Sequence, residues 1–173
     1  MDATRRRDTI LGAINQGRTP VSASALAKQL SVSRQVIVGD IALLRAQGFE
    51  IIATTRGYMI SELKELNQYI GKIACYHSAE NTKEELYTIV DLGAAVMNVI
   101  IEHEIYGEIT GQLNITSRED VDIFIERVKS SGVKLLSELK SGIHLHTIAC
   151  RDIAHFEQVK HALGAAGLLF QNP

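Results

Sequence analysis

His144-Leu145-His146 places two imidazoles two residues apart, and in a strand such neighbours share one face about 7 Å apart. Both can converge on one metal ion while Leu145 points into the core. Glycine before this stretch and Thr147 after it leave room and polarity. His77 ends an earlier apolar stretch, and Glu85 follows it on the first turn of a helix, so the two can face one space across a short loop. Glu85 has a second reading, because Thr82-x-x-Glu85 is a capping-box pattern. One carboxylate cannot fully serve both. Cys75 shares strand parity with His77, and Cys150 with His144 and His146, so each is a spare ligand or a small buried hydrophobe. His103, between Glu102 and Glu104, is either a surface histidine or one that lies near a ligand pocket with Tyr106. His155 and His161 read as surface residues.

The elements that must position these groups alternate between strand and helix. Residues 72–77 predict a strand and residues 82–92 a helix with Leu86, Ile89 and Val90 inward. Residues 96–103 and 108–115 predict a hairpin turning at Tyr106-Gly107. Ser117 caps a helix to about residue 130, with Asp120 completing a variant capping box and Val121, Phe124, Ile125 and Val128 as its core stripe. Residues 133–139 and 143–150 predict a second strand pair turning at Lys140-Ser141-Gly142, residues 152–166 a last helix, and 168–170 a closing strand. The expected order is β-α-β-β-α-β-β-α-β, an α+β domain with a largely antiparallel sheet covered by helices on one face.

The first third of the chain has a different character. Ile37, Ile41 and Leu44 recur at helical spacing behind the turn Ser31-Val32-Ser33, with Ser33 as N-cap and Arg34, Gln35 and Val38 on the opposite face. Ala23, Leu26, Ala27 and Leu30 form a shorter amphipathic helix before it, capped by Ser22. Residues 2–16 predict a first helix with Ile10, Leu11 and Ile14 inward. Two short helices around a tight turn read as a helix-turn-helix with its recognition helix. Two β-prone stretches around Thr54-Thr55-Arg56-Gly57 add a wing, making the domain a winged helix-turn-helix. Arg34 and Gln35 suit guanine and adenine edges, with Val38 beside them; Ser22, Lys28, Ser33 and Arg56 suit phosphates. Arg5, Arg6 and Arg7 either touch DNA backbone or form a solvated basic face.

Charge divides at the same place. The 173 residues carry a net −2, but residues 1–60 sum to +4 and residues 61–173 to −6. A basic module that meets phosphate and an acidic one that does not follow from this. The expected domains are 1–60, a polar linker at 61–70 in which Leu63, Leu66 and Ile70 form a small contact stripe, and 71–173. With 46% apolar residues and two cysteines outside any Cys-x-x-Cys motif, the chain reads as a folded cytoplasmic protein without a disulfide framework, signal peptide or transmembrane helix.

Ser33-Arg34-Gln35-Val36-Ile37-Val38, Asp40-Ile41, Ile52-Ala53-Thr54, Arg56-Gly57-Tyr58, His77 with Glu85, Glu102-His103, Tyr106-Gly107 and His144-Leu145-His146-Thr147 resemble, in that order, the niacin-responsive transcriptional repressors. The resemblance spans almost the whole chain. It implies a homodimer that senses nicotinic acid, and one transition-metal ion per chain on His77, Glu85, His144 and His146. Zinc, nickel and ferrous iron suit that ligand set. Gly39 departs from the polar residue that such recognition helices tend to carry, and Glu104-Ile105 from a Pro-Val after the hairpin histidine.

The expectation is a repressor of NAD-synthesis or niacin-uptake genes, not an enzyme, that binds an inverted-repeat operator in double-stranded DNA with nicotinic acid as co-repressor. His103 and Tyr106 are the effector-contacting candidates. Two alternatives stand beside it: a repressor whose effector is the metal itself, and a metal-dependent hydrolase with an appended DNA-binding domain.

Overall fold

The computed structural model describes residues 2–16, 19–60 and 69–171, and its contacts divide into two units, residues 1–65 and 66–173. The expected linker stripe at Leu63 and Leu66 lies outside the described residues.

In the first unit, α1 (Ala3–Gln16), α2 (Ala23–Leu30) and α3 (Arg34–Ala46) precede a hairpin of β1 (Ile51–Thr54) and β2 (Gly57–Ile60). The turn between α2 and α3 has a clear chemical cause. Ser31 steps into the left-handed region at φ 54° and ends α2, and two residues later the Ser33 hydroxyl accepts from Val36 N at 3.3 Å and starts α3. Ser22 opens α2 in the same way, accepting from Ala25 N. Ile10, Ile14, Leu26, Ile37, Ile41 and Leu44 meet in one core. Each stabilises the unit by about 1.5–3 kcal/mol relative to exposure. At the wing tip, Thr54 Oγ1 accepts from Arg56 N and Gly57 N and donates to Gly57 O, closing the turn. Tyr58 and Val21 exchange backbone hydrogen bonds, which ties the wing to the entry of α2. A Cβ on Gly57, whose φ is +146°, would stand 2.3 Å from Val21 O.

The second unit runs β3 (Tyr69–Tyr76), α4 (Thr82–Asp91), β4 (Ala95–His103), β5 (Gly107–Ile115), α5 (Arg118–Ser131), β6 (Ile143–Cys150) and α6 (Ile153–Ala165). The sheet order is β3-β6-β4-β5, antiparallel throughout, and the three helices share a core with its inner face. The α+β class is therefore as expected.

Several details differ. Residues 133–139 are not a strand, and β6 has no hairpin partner before it. Gly132 ends α5 in the left-handed region, and the Glu138 carboxylate accepts from Leu135 N at 2.6 Å, closing a 3-10 turn over Leu136–Lys140. Both edges of β6 are already taken by β3 and β4, so no ladder is left for such a strand. The closing strand at 168–170 reduces to an isolated bridge on the free edge of β3, between Leu169 and Cys75. In the box at α5, Ser117 accepts from Asp120 N as expected, and the Asp120 carboxylate reaches Thr116, accepting from both its backbone N and its hydroxyl. His155 is buried rather than exposed, accepting from Arg151 N and donating to Leu92 O at 2.7 Å. It fastens the start of α6 to the end of α4.

Candidate metal centre and nucleic-acid interface

His144 and His146 project from β6 onto the helix-covered face, and Leu145 lies on the other side, half-buried, the reverse of the expected placement. His77 leaves the end of β3 beside them, its ring edge-on to His144 at 4.9 Å. Glu85 comes from the first turn of α4 and is fully buried. His144 Nε2 stands 2.9 Å from Glu85 Oε1, His146 Nε2 3.2 Å from the same oxygen, and His77 Nε2 2.8 Å from Oε2. The four sequence candidates thus meet at one point. The capping alternative for Glu85 is not taken: its carboxylate faces the imidazoles, and Asn81, at the N-cap of α4, makes no side-chain cap.

The other ring nitrogens explain the arrangement. His77 Nδ1 lies 2.8 Å from Ser78 O, His144 Nδ1 2.9 Å from Gly142 O, and His146 Nδ1 2.8 Å from Asn98 O. A carbonyl only accepts, so each Nδ1 carries a proton and donates it. In the neutral ring, Nε2 is then a lone pair aimed inward. Three such lone pairs facing a carboxylate repel one another unless a cation lies among them. His77 Nε2, His146 Nε2 and Glu85 Oε2 are moreover buried without a properly oriented hydrogen bond, despite their short contacts. These donors fit a borderline transition metal. Protons on Nε2 can take the place of that cation, and the electrostatics of the cluster favours them. Burial pushes the Glu85 carboxyl up, yet His146, His144 and His77 outweigh it and hold the group well below the usual carboxylate range. Burial pushes His77 and His146 down, and Glu85 outweighs it and raises both.

Cys75 sits opposite His144 in the β3–β6 register, and its sulfur, a Glu85 oxygen and a His144 nitrogen lie within 4.8 Å of one another. Burial pushes its thiol strongly up, with the Glu85 charge adding to it, so it is a neutral thiol beside the cluster. Cys150 stands opposite Tyr69 at the far end of the same pairing, in the apolar core. A small cavity adjoins the cluster, lined by Thr82, Glu85, Ser137, His144 and His146 and by apolar side chains that include Leu113, Phe124 and Leu136.

His103 and Tyr106 are not brought to this cavity. They form the tip of the β4–β5 hairpin, where His103 Nδ1 accepts from Ile105 N and Tyr106 N and the two rings lie 5.1 Å apart. Tyr106 is 74% exposed. Conversely, sequence reasoning missed Asn98, whose carbonyl orients His146 while its side-chain oxygen accepts from Thr147 N beside an irregularity in β4. Its only signal was one amide among the apolar residues 95–101. Gly142 was read as leaving room before the strand; what was missed is that a Cβ there would come 2.4 Å from His77 O.

On the first unit, Arg34, Gln35 and Val38 are exposed on α3, and Lys28 and Arg56 are exposed on α2 and the wing. The side chains of Arg34, Gln35 and Lys28 make no hydrogen bond or ion pair among the described residues. Ser22 and Ser33 accept cap bonds through their hydroxyl oxygens. Arg5 is exposed. Arg6 and Arg7 are not a solvated basic face, because both reach the buried Asp40 on α3. No helix among the described residues is long and apolar enough to cross a membrane.

A helix-turn-helix joined to a domain of three converging histidines defines a class of DNA-binding regulators. Residues 6–59 match the HTH domain family and residues 70–172 the 3H domain family. The chain is 41% identical over 169 residues to the transcription repressor NadR of Bacillus subtilis, covering 96% of this chain and 94% of that protein. It is 39% identical over 166 residues to the probable transcription repressor NiaR of Thermotoga maritima, with the same coverage. The chain belongs to the niacin-responsive transcriptional repressor family, whose members join these two domains. Both relatives are named as repressors rather than enzymes, which sets the hydrolase alternative aside.

Proposed function

We propose that this protein is a cytoplasmic repressor of genes for NAD synthesis or niacin uptake, binding an inverted-repeat operator as a homodimer with nicotinic acid as co-repressor. One observation carries the effector half of this reading. Three Nε2 atoms and the buried Glu85 carboxylate converge beside an apolar cavity, in a chain whose relatives are named for NAD and niacin. His77, Glu85, His144 and His146 would hold one zinc, nickel or ferrous ion. When bound, that ion supplies a Lewis-acidic centre for the carboxylate or ring nitrogen of a pyridine. Arg34 and Gln35 read base edges, while Ser22, Lys28, Ser33 and Arg56 hold phosphates. By linkage, nicotinic acid tightens operator binding only if it binds the DNA-competent dimer more strongly.

The test is operator binding by the metal-loaded protein with nicotinic acid, with nicotinamide and with neither. Tightening by nicotinic acid alone, lost in His144→Ala, supports the reading. Binding that ignores both pyridines but follows added metal replaces it with a metal-sensing repressor.

A further inference from the structure

We propose that Gly39 is where the recognition helix comes closest to DNA, and that the space its missing side chain leaves takes the C5-methyl group of a thymine. This rests on the operator-binding reading above and names one base feature that the operator must carry.

The fold gives no reason for a glycine at this position. Gly39 lies in the interior of α3, which runs unbroken from Arg34 to Ala46, and its φ is not positive, so other residues fit the same backbone. A Cβ there would meet nothing within 4 Å, so no neighbouring group requires its absence. Glycine in a helix interior nevertheless costs about 1 kcal/mol relative to alanine. Such a glycine is kept for packing or for function, and close approach of the backbone to a ligand is a functional reason. The packing reason is missing here.

Position then decides the ligand. At about 100° per residue, Gln35, Gly39 and Ala42 centre on the side of α3 opposite the buried Ile37, Ile41 and Leu44, and all three are exposed. A recognition helix turns that side to the major groove. Gln35, one turn before Gly39, suits an adenine edge. The groups around Gly39 differ in kind. Val38 beside it and Ala42 one turn later are exposed and offer only carbon, so this part of the helix has no side-chain donor or acceptor for a base. Among the base edges of the major groove, the thymine methyl is the feature read by apolar contact. A methyl seated against Gly39 is flanked by Val38 and Ala42, and a Cβ at position 39 would take its place.

The experiment lets the full-length chain, nickel-loaded and with nicotinic acid, select its operator from random duplexes, and repeats the selection with neither. Wild type and Gly39→Ala are then titrated with the selected duplex and with versions carrying deoxyuridine at single thymines, which removes the methyl and nothing else. For wild type, uracil at one thymine of a half-site should weaken binding about fourfold, the transfer free energy of one buried carbon. Gly39→Ala should bind the thymine duplex about tenfold more weakly, the effect of an overfilled contact. At that same uracil it should lose nothing further, because its own Cβ fills the space. Its denaturant midpoint should equal or exceed that of wild type, which separates a lost contact from a lost fold. Equal affinity of the two chains for the thymine duplex overturns the assignment. So does a uracil penalty of equal size in both chains, a selected operator in which no thymine is sensitive to uracil, or a weakening in Gly39→Ala that accompanies a lowered midpoint. Failure of the wild type to enrich any sequence under either condition removes the operator reading itself, and this assignment with it.

Discussion

Arg6 on α1 grips Asp40 on α3 through two hydrogen bonds, Nε to Oδ2 at 2.6 Å and Nη2 to Oδ1 at 3.2 Å. Arg7 approaches the same carboxylate at 3.7 Å, and Asp40 is 3% exposed. Asp40 faces α1 while Arg34, Gln35 and Val38 face outward, so the pair sets the rotation of the recognition helix. Asp40→Ala and Arg6→Ala should each lower stability and operator affinity. Their effects should be less than additive in the double variant, because one contact is lost only once. Denaturant titration and operator binding of the four chains check this.

The exposed positions should separate base reading from charge. Arg34→Ala should relax specificity at one operator position by about 1–3 kcal/mol. Arg56→Ala should weaken all sequences alike and reduce the salt slope by about one. Binding to an operator and its single-base variants across a salt series distinguishes the two.

Metal removal should expose the second unit. A metal ion at a hundredfold its dissociation constant stabilises the folded form by about 2.7 kcal/mol. Melting temperature should therefore fall on chelation and recover with nickel or zinc. Glu85→Gln, which removes the only anionic donor among the four, should abolish most of that recovery. His155→Ala makes a useful contrast. It breaks two partly buried hydrogen bonds away from the cluster, so it should lower baseline stability by about 1–3 kcal/mol and leave the metal-induced shift intact.

Gly39 lies on the exposed face of the recognition helix, and a Cβ there would meet nothing within 4 Å. Gly39→Ala should stabilise the protein by up to about 1 kcal/mol, read from the denaturant midpoint. Unchanged operator specificity would show that the glycine adds no contact of its own.

The helices, caps and most strands were legible because each has a local cause. Ser22, Ser33 and Ser117 all accept cap bonds, and the apolar stripe of α3 lies where its spacing puts it. What was not legible depends on distant partners. Residues 133–139 alternate well enough for a strand, yet β3 and β4 had already occupied both edges of β6. His155 looked like a surface residue because the Leu92 carbonyl that receives its proton lies 63 residues away. Glu85 satisfied two local patterns, and only the arrival of β6 decided between them.

The carbonyls of Ser78, Asn98 and Gly142 hold the three imidazoles, so the ring orientations are fixed by main chain rather than by neighbouring side chains. The consequence concerns how such a centre can change. Side chains at 78 and 98 can be exchanged without removing the acceptors their imidazoles need, provided the backbone path survives. Position 142 has no such latitude, since its φ is +94° and any side chain would strike His77 O. A reworked version of this centre therefore has wide freedom in the composition of its surroundings and a single glycine at which that freedom ends.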